Sequence, residues 1–316
     1  MNSFTLPISL FTLRFGSLSY PTNVKQAAAT SAWERAGGEG RQGSGGVSSV
    51  ALLPTSTWLQ HKRRAGFGGL ELFHSSHLTL HSFFNASPMK LLLFDIDGTL
   101  LRVQRGVNRA VVHGVARRLL EHHGELPELE LHGKTDPQIF LEIAEHLRLE
   151  RHDAESRLRP LELVITEEWE QHLSQETVEI LPGVVDLLER LTQLPNVHLG
   201  LLTGNVASGA SAKLRPHGLG KYFTVGAYGS DSAVRNHLPP IAIRRAAELH
   251  GYPFQPSQTL IIGDSHRDIE CARLSGVRSL AVATGGLSVD QLRAHNPDYL
   301  AETLLDDSPI HAFISQ

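Results

Sequence analysis

LLLFDIDGT, residues 91–99, is the most informative run in the chain. Four apolar residues followed by a polar turn read as a buried strand of a parallel sheet. Strand alternation sends the side chains of Asp95 and Asp97 the same way, into the space beyond the strand end. Gly98 permits a tight turn there. Two carboxylates so close repel each other when both are charged and no cation is present. One can remain ionised as a nucleophile while the other, held neutral, gives a proton to a leaving group. A lone Asp-Gly pair would be an ordinary turn. A double aspartate with Gly-Thr behind an LLLF strand is far more specific.

Downstream, the same theme recurs in VHLGLLT (197–203), TVGAY (224–228), TLIIGD (259–264) and RSLAVAT (278–284). Helical runs lie between them at VVDLLERL (184–191), IAIRRAAEL (241–249) and DIECARLSG (268–276). This alternation predicts an α/β fold, a Rossmann-like parallel sheet with helices on both faces. Residues 105–178 break the pattern. Val107, Val111, Val115 and Leu119 share a helical face, as do Ile139, Ile143 and Leu147, and then Leu161, Ile165 and Trp169. Asp136 before Pro137 reads as a cap followed by a first-turn proline. The spacing predicts a small all-helical cap domain over 105–178, inserted after the first strand. A core domain over 89–104 and 179–316 surrounds it. The insert would lie over the carboxyl ends of the strands, where ligands bind in such sheets.

Upstream, composition changes at Met89. Before it the chain is rich in Ser, Thr and Gly, and its acidic residues are Glu34, Glu39 and Glu71 alone. The run GGEGRQGSGG (37–46) has linker composition. Basic, hydroxyl-rich, acid-poor sequence also suits an organelle transit peptide. The plainer reading, a disordered N-terminal extension over 1–88, is favoured, with a cytoplasmic protein the corresponding expectation. In the whole chain of 316 residues, a net charge of −4 gives no general pull toward nucleic acid. No apolar run suffices to span a bilayer. Cys271 is the one cysteine, which rules out an intrachain disulfide and a thiolate metal site.

Two further strand ends carry chemistry. LLTGN ends in Thr203, Gly204 and Asn205, a hydroxyl and backbone N–H groups at a strand-to-helix turn, suited to phosphate oxygens. Alone, it is equally a common turn. IIGDSHRD ends a strand at Asp264, with Asp268 in the first turn of the next helix. Asp268 would also be at home there as an acid favoured by the helix dipole. Asp95, Asp97, Asp264 and Asp268 would converge at one sheet edge. Clustered carboxylates call for a hard cation with oxygen ligands, and Mg2+ is the natural choice. A metal beside a phosphate pocket suggests phosphoryl transfer.

With these motifs in this order, residues 89–316 resemble the haloacid dehalogenase-like (HAD) superfamily. The resemblance implies that Asp95 is the nucleophile forming an aspartyl-phosphate and Asp97 the general acid, then base. It implies that Thr203 binds phosphate. Asp95, the backbone carbonyl of Asp97, Asp264 and Asp268 would hold or orient magnesium. A second aspartate at position 97 favours phosphatases over dehalogenases in that family. Many members carry Lys-Pro before a helix in their third motif, whereas this chain reads DSAVRNHLPPIAIRRAAEL. Arg235 has the right distance to be the phosphate-side cation. Lys213 is a further candidate in the preceding helix, and Arg244 and Arg245 read as a solvated helix face.

The insert is similar to the cap of the phosphoglycolate phosphatase and β-phosphoglucomutase branch. HGKTDPQIF (132–140) matches its cap segment, so Lys134, Thr135 and Asp136 would touch substrate; a plain helix cap with a surface lysine fits equally. The expected activity is magnesium-dependent hydrolysis of a small phosphorylated metabolite, of phosphoglycolate or sugar phosphate type. A phosphomutase and a catalytically silent scaffold are the alternatives. His122 and His123, adjacent on a helix, cannot form an i,i+4 metal clamp and read as surface residues. Cys271, beside Ala272, reads as a packing residue.

Overall fold

The structure is a computed structural model whose described residues are 88–316. The extension expected over 1–88 lies outside them except for Pro88. Strand β1 (Lys90–Phe94) is buried along its whole length, with parallel neighbours on both sides. It is followed by β2 (Leu101–Val103) and four helices: α1 (Arg105–Leu119), α2 (Asp136–His146), α3 (Arg151–Ser156) and α4 (Leu161–His172). Strand β3 (Val178–Ile180) then pairs antiparallel with β2, Leu101 facing Ile180. The expected junction at 178/179 falls inside this strand. A three-residue pair is too short for alternation to reveal it in sequence.

After β3 come α5 (Val184–Thr192), β4 (Val197–Leu202), α6 (Ala207–Leu214), β5 (Val225–Ala227) and α7 (Leu238–His250). The chain continues through β6 (Thr259–Gly263), α8 (His266–Leu274), β7 (Arg278–Val282), α9 (Val289–Ala294), β8 (Tyr299–Ala301) and α10 (Ser308–Ile314). The six-stranded sheet is parallel, in the order β5-β4-β1-β6-β7-β8. Strand order reverses between β1 and β6, which opens a crevice at their carboxyl ends.

Leu92 and Phe94 of β1 point into one core with α5, α10 and the inserted helices. Leu91 and Leu93 point into the other, with Leu238, Ala242 and Ala246 of α7 and Ala272 of α8. Both faces of the sheet are therefore covered. The three apolar stripes of the insert face inward as their spacing predicts: Val111, Val115, Ile143, Leu161, Ile165 and Trp169 are all buried. The start of α2 differs by one residue from the sequence reading. Thr135, not Asp136, is the cap, its Oγ1 accepting from the Gln138 amide at 3.2 Å. This leaves the Asp136 carboxylate free for a contact outside its own helix. Among the described residues, no helix is long and apolar enough to cross a membrane.

At the amino end of β4, His198 lies against His250 at the end of α7, with ring centroids 3.8 Å apart. Phe254 meets both rings edge-on. Burial holds both imidazoles below their ordinary pKa, and His250 adds to the effect on His198. The unfolded chain then binds protons more readily than the fold. The stability this cluster supports is complete above about pH 6.5 and falls as pH drops. His250→Phe is expected to flatten the loss of thermal midpoint between pH 7 and 5. An unchanged slope would place that loss elsewhere.

Candidate active site

The register of the sheet assembles the site. Phe94 pairs with Leu201 on one side and Ile262 on the other, so β1, β4 and β6 end level with each other. Their next residues include Asp95, Thr203 and Asp264. Asp95 is held by its own amide, which donates to the Ile262 carbonyl at 2.9 Å. Gly98, at φ +79°, turns the chain back immediately beyond. A Cβ at Gly98 would run into the Asp264 carboxylate, so glycine is needed for both conformation and space.

Asp95, Asp264 and Asp268 bring one carboxylate oxygen each within 4.8 Å of one another, and all three are buried. Ser265 caps α8, and Asp268 completes the capping box by accepting from the Ser265 amide at 3.1 Å and hydroxyl at 2.6 Å. Its other oxygen takes the Arg235 guanidinium. Asp268 thus has both the helix-capping and the site role.

Arg235 begins a short 3-10 turn just before α7 and is buried. Its Nη2 lies 3.3 Å from Asp95 Oδ2 while also bonding Asp268. Burial raises the Asp95 carboxyl to about 6, with Arg235 opposing and Asp268 and Asp97 adding to the rise. Asp264 is pushed well above its ordinary value, first by burial, then by Asp268 and Asp95. One guanidinium among three buried carboxylates leaves an excess of negative charge. An all-oxygen, anionic donor set of this kind fits a hard divalent cation. The carbonyl of Gly98 accepts from Thr284 Oγ1 at 2.5 Å, which ties this turn to the segment after β7.

Asp97 is the more accessible carboxylate, with 39% of its side chain exposed. Lys213, from α6, reaches both of its oxygens, at 2.9 and 2.7 Å. Asn205 donates to Asp97 Oδ2 and to Thr203 Oγ1, each at 2.8 Å. The LLTGN loop and the DIDGT loop are therefore tied together. Lys213 was undervalued in sequence because a lysine inside a helix carries no directional signal. The packing of α6 against α4, with Trp169 over the ammonium, keeps it inside.

The insert closes over this crevice through the segment 132–136. Asp136 donates its amide to the Gly204 carbonyl, and its carboxylate accepts the Val206 amide, both at 2.8 Å. Burial raises the Asp136 carboxyl to about 6, opposed by Lys213 and the Val206 N–H and reinforced by Asp97 and Glu162. Thr135 Oγ1 donates to the Ala233 carbonyl at 2.7 Å, two residues before Arg235. Lys134 Nζ pairs with Glu142 at 2.5 Å within the insert. A Cβ at Gly204 would strike the Lys134 carbonyl. In this closed arrangement, Thr135 and Asp136 fasten the insert to the core.

The remaining sequence candidates separate cleanly. Arg244 forms an exposed i,i+4 pair with Glu248. Arg245 departs from the solvated face expected of it. It clamps Asp231 with two bonds, at 2.6 and 2.7 Å, and donates to the Gly226 carbonyl, fixing the loop that leads to Arg235. His122 approaches the Glu125 carbonyl and joins no metal-binding group among the described residues. Cys271 is buried, its thiol pushed up to about 12 by burial and donating to the Arg235 carbonyl, as an inert packing residue would be.

Residues 89–276 match the family model described as haloacid dehalogenase-like hydrolase. The chain belongs to that family. Among curated relatives, the phosphoglycolate phosphatase of Vibrio vulnificus (strain CMCP6) is 28% identical over 219 residues, spanning 68% of this chain and 93% of that protein. The pyrophosphatase PpaX of Oceanobacillus iheyensis is 25% identical over 221 residues, covering 69% and 94%. Of solved structures, CbbY from Rhodobacter sphaeroides in complex with phosphate aligns with a TM-score of 0.53 at 17% identity, over 70% of this chain and 96% of that one. A hydrolase from Pseudomonas syringae aligns at 0.51 and 21% identity, over 72% and 99%. These two likenesses are of fold alone.

Proposed function

We propose that this protein is a magnesium-dependent phosphatase that hydrolyses a small phosphomonoester, of phosphoglycolate or sugar phosphate type, through a phosphorylated Asp95. The observation that carries this reading is the convergence of buried Asp95, Asp264 and Asp268 around one guanidinium at the sheet's switch point. Asp95, Asp264 and Asp268 would hold the ion, with Asp97 contributing its carbonyl. Magnesium bound there supplies positive charge to the carboxylates and to the phosphoryl oxygens. Asp95 attacks phosphorus in line, and Asp97 protonates the departing alkoxide. Water then attacks the aspartyl-phosphate as Asp97 takes up its proton, releasing inorganic phosphate and restoring Asp95. Thr203, Gly204 and Asn205, in the loop tied to Asp97, would receive phosphate oxygens together with Arg235.

The relatives' names support phosphate ester and anhydride chemistry. The insert supports a small substrate, because its 132–136 segment closes directly on the loop at Gly204. The test is phosphate release from a panel of phosphomonoesters and pyrophosphate by the full chain, with magnesium and with excess chelator. Release that is selective and abolished by chelator is the expected result. Isomerisation of a sugar phosphate without free phosphate would replace the reading with a phosphomutase.

Closure itself is testable at Gly204. Gly204→Ala places a methyl group against the Lys134 carbonyl and holds the insert off the core. A misplacement of about 1 Å is expected to lower kcat/KM by about 10²-fold. Wild-type kcat/KM in this variant would show that closure of the insert contributes nothing to catalysis.

A further inference from the structure

Lys213 is a buried ammonium whose surroundings are complete without any substrate. It donates to both oxygens of Asp97 and, at 2.7 Å, to Asn205 Oδ1. Its remaining face is covered by the indole of Trp169, whose ring centroid lies 4.3 Å from Nζ. Trp169 belongs to α4 of the inserted domain, while Lys213 and Asp97 belong to the core. The ammonium therefore sits at the seam between the two, with acceptor oxygens on one side and an aromatic wall on the other.

A lysine on a surface ion pair loses rotamer entropy for little gain. Here the cost of desolvating the ammonium is met by a carboxylate, an amide oxygen and a ring face together. Asp97 is anchored to the strand only through its backbone turn, and its side chain is the least buried of the four acids. Its oxygens carry one bond at Oδ1, from Lys213, and two at Oδ2, from Lys213 and Asn205. Oδ1 thus has the freer lone pair, the place for the proton that passes to a leaving-group oxygen. The rotamer that exposes it is fixed from behind by Lys213.

We propose that Lys213 is a positioning residue for Asp97, and that Trp169 completes its cage, so that the proton-transferring carboxylate is set when the inserted domain is closed. This rests on the reading of Asp97 as the acid that protonates the leaving group. Opening the insert withdraws the indole and exposes the ammonium to water. Closing it returns Lys213 to its desolvated contact with Asp97. Cap closure and acid alignment are then one event, carried by a single cation.

The experiment compares kcat/KM for an alkyl phosphate, whose leaving group needs a proton, with that for p-nitrophenyl phosphate, whose leaving group does not. Asp97→Asn serves as reference and is expected to lower the alkyl-to-aryl ratio by about 10²-fold or more. Lys213→Met is expected to lower the same ratio by about 10-fold or more, and Trp169→Leu by about 3-fold. In an Asp97→Asn background, Lys213→Met should lower the ratio no further. A ratio unchanged in Lys213→Met while Asp97→Asn lowers it would overturn the inference and leave the acid assignment standing. A ratio unchanged in Asp97→Asn itself would remove the acid assignment first. If Lys213→Met fails to fold, Lys213→Arg and Trp169→Leu carry the same comparison, and an unaltered ratio in both overturns the proposal.

Discussion

Asp95→Asn is expected to lower phosphate release by about 10⁴-fold or more, because it removes the proposed nucleophile and the residual rate then comes from binding and charge alone. The same change is expected to stabilise the metal-free protein. In the fold the Asp95 carboxyl is raised to about 6, by burial first, against the pull of Arg235 and with the push of Asp268 and Asp97. In the unfolded chain it titrates near about 3.9. A raised acid favours the fold where it is protonated, so its support is present below about pH 4 and lost as pH rises through about 6. At pH 7.5 in chelator, wild type therefore carries an unfavourable buried charge that asparagine lacks. A thermal midpoint several degrees above wild type, with turnover gone, is the expected pairing, and both can be read on one preparation. A lowered midpoint would mean that Arg235 depends on Asp95 more than Asp95 costs the fold.

That balance explains which parts of the molecule were readable from sequence. The central strand was legible because LLLF is buried on both faces and ends in a turn that only Gly98 can make. Asp95, Asp264 and Asp268 were legible for a related reason: each follows an apolar strand or opens a helix, so local structure fixes its direction. Thr135 was mistaken for the residue before the cap, since Asp is the stronger capping residue of the two, and here its carboxylate is taken by the Val206 amide. Arg245 was misread because its partner, Asp231, lies in a loop without periodicity. The two-stranded β2–β3 pair and the short β8 were too brief for alternation to register. Lys213 and Trp169 were each noticed, one as a cation in a helix and one as part of an apolar stripe. Their meeting depends on how α4 packs against α6, which no local pattern encodes.

Arg235 carries the second large effect, on stability as much as on rate. Its guanidinium is the cation that lies between Asp95 and Asp268, and its side chain is 5% exposed. Arg235→Met leaves those buried carboxylates facing each other and Asp264 without a counter-charge. Breaking a buried ion pair from one side costs about 3–5 kcal/mol. In a domain of this size that lowers the thermal midpoint by on the order of 10 °C. Loss of one charge-stabilising donor at the reacting phosphoryl group is expected to lower kcat by about 10²- to 10³-fold. The two effects should respond differently to magnesium. A divalent ion among Asp95, Asp264 and Asp268 replaces part of the missing positive charge, so the midpoint deficit should be largest in chelator and shrink in excess magnesium. The kcat deficit should persist, because a spherical ion cannot reproduce the fixed, planar donors of a guanidinium. Arg235→Lys separates charge from shape: a point charge should recover much of the midpoint and little of the rate. A midpoint in chelator equal to that of wild type would mean that the carboxylates are already neutral in the metal-free fold, and that the guanidinium serves the phosphate alone.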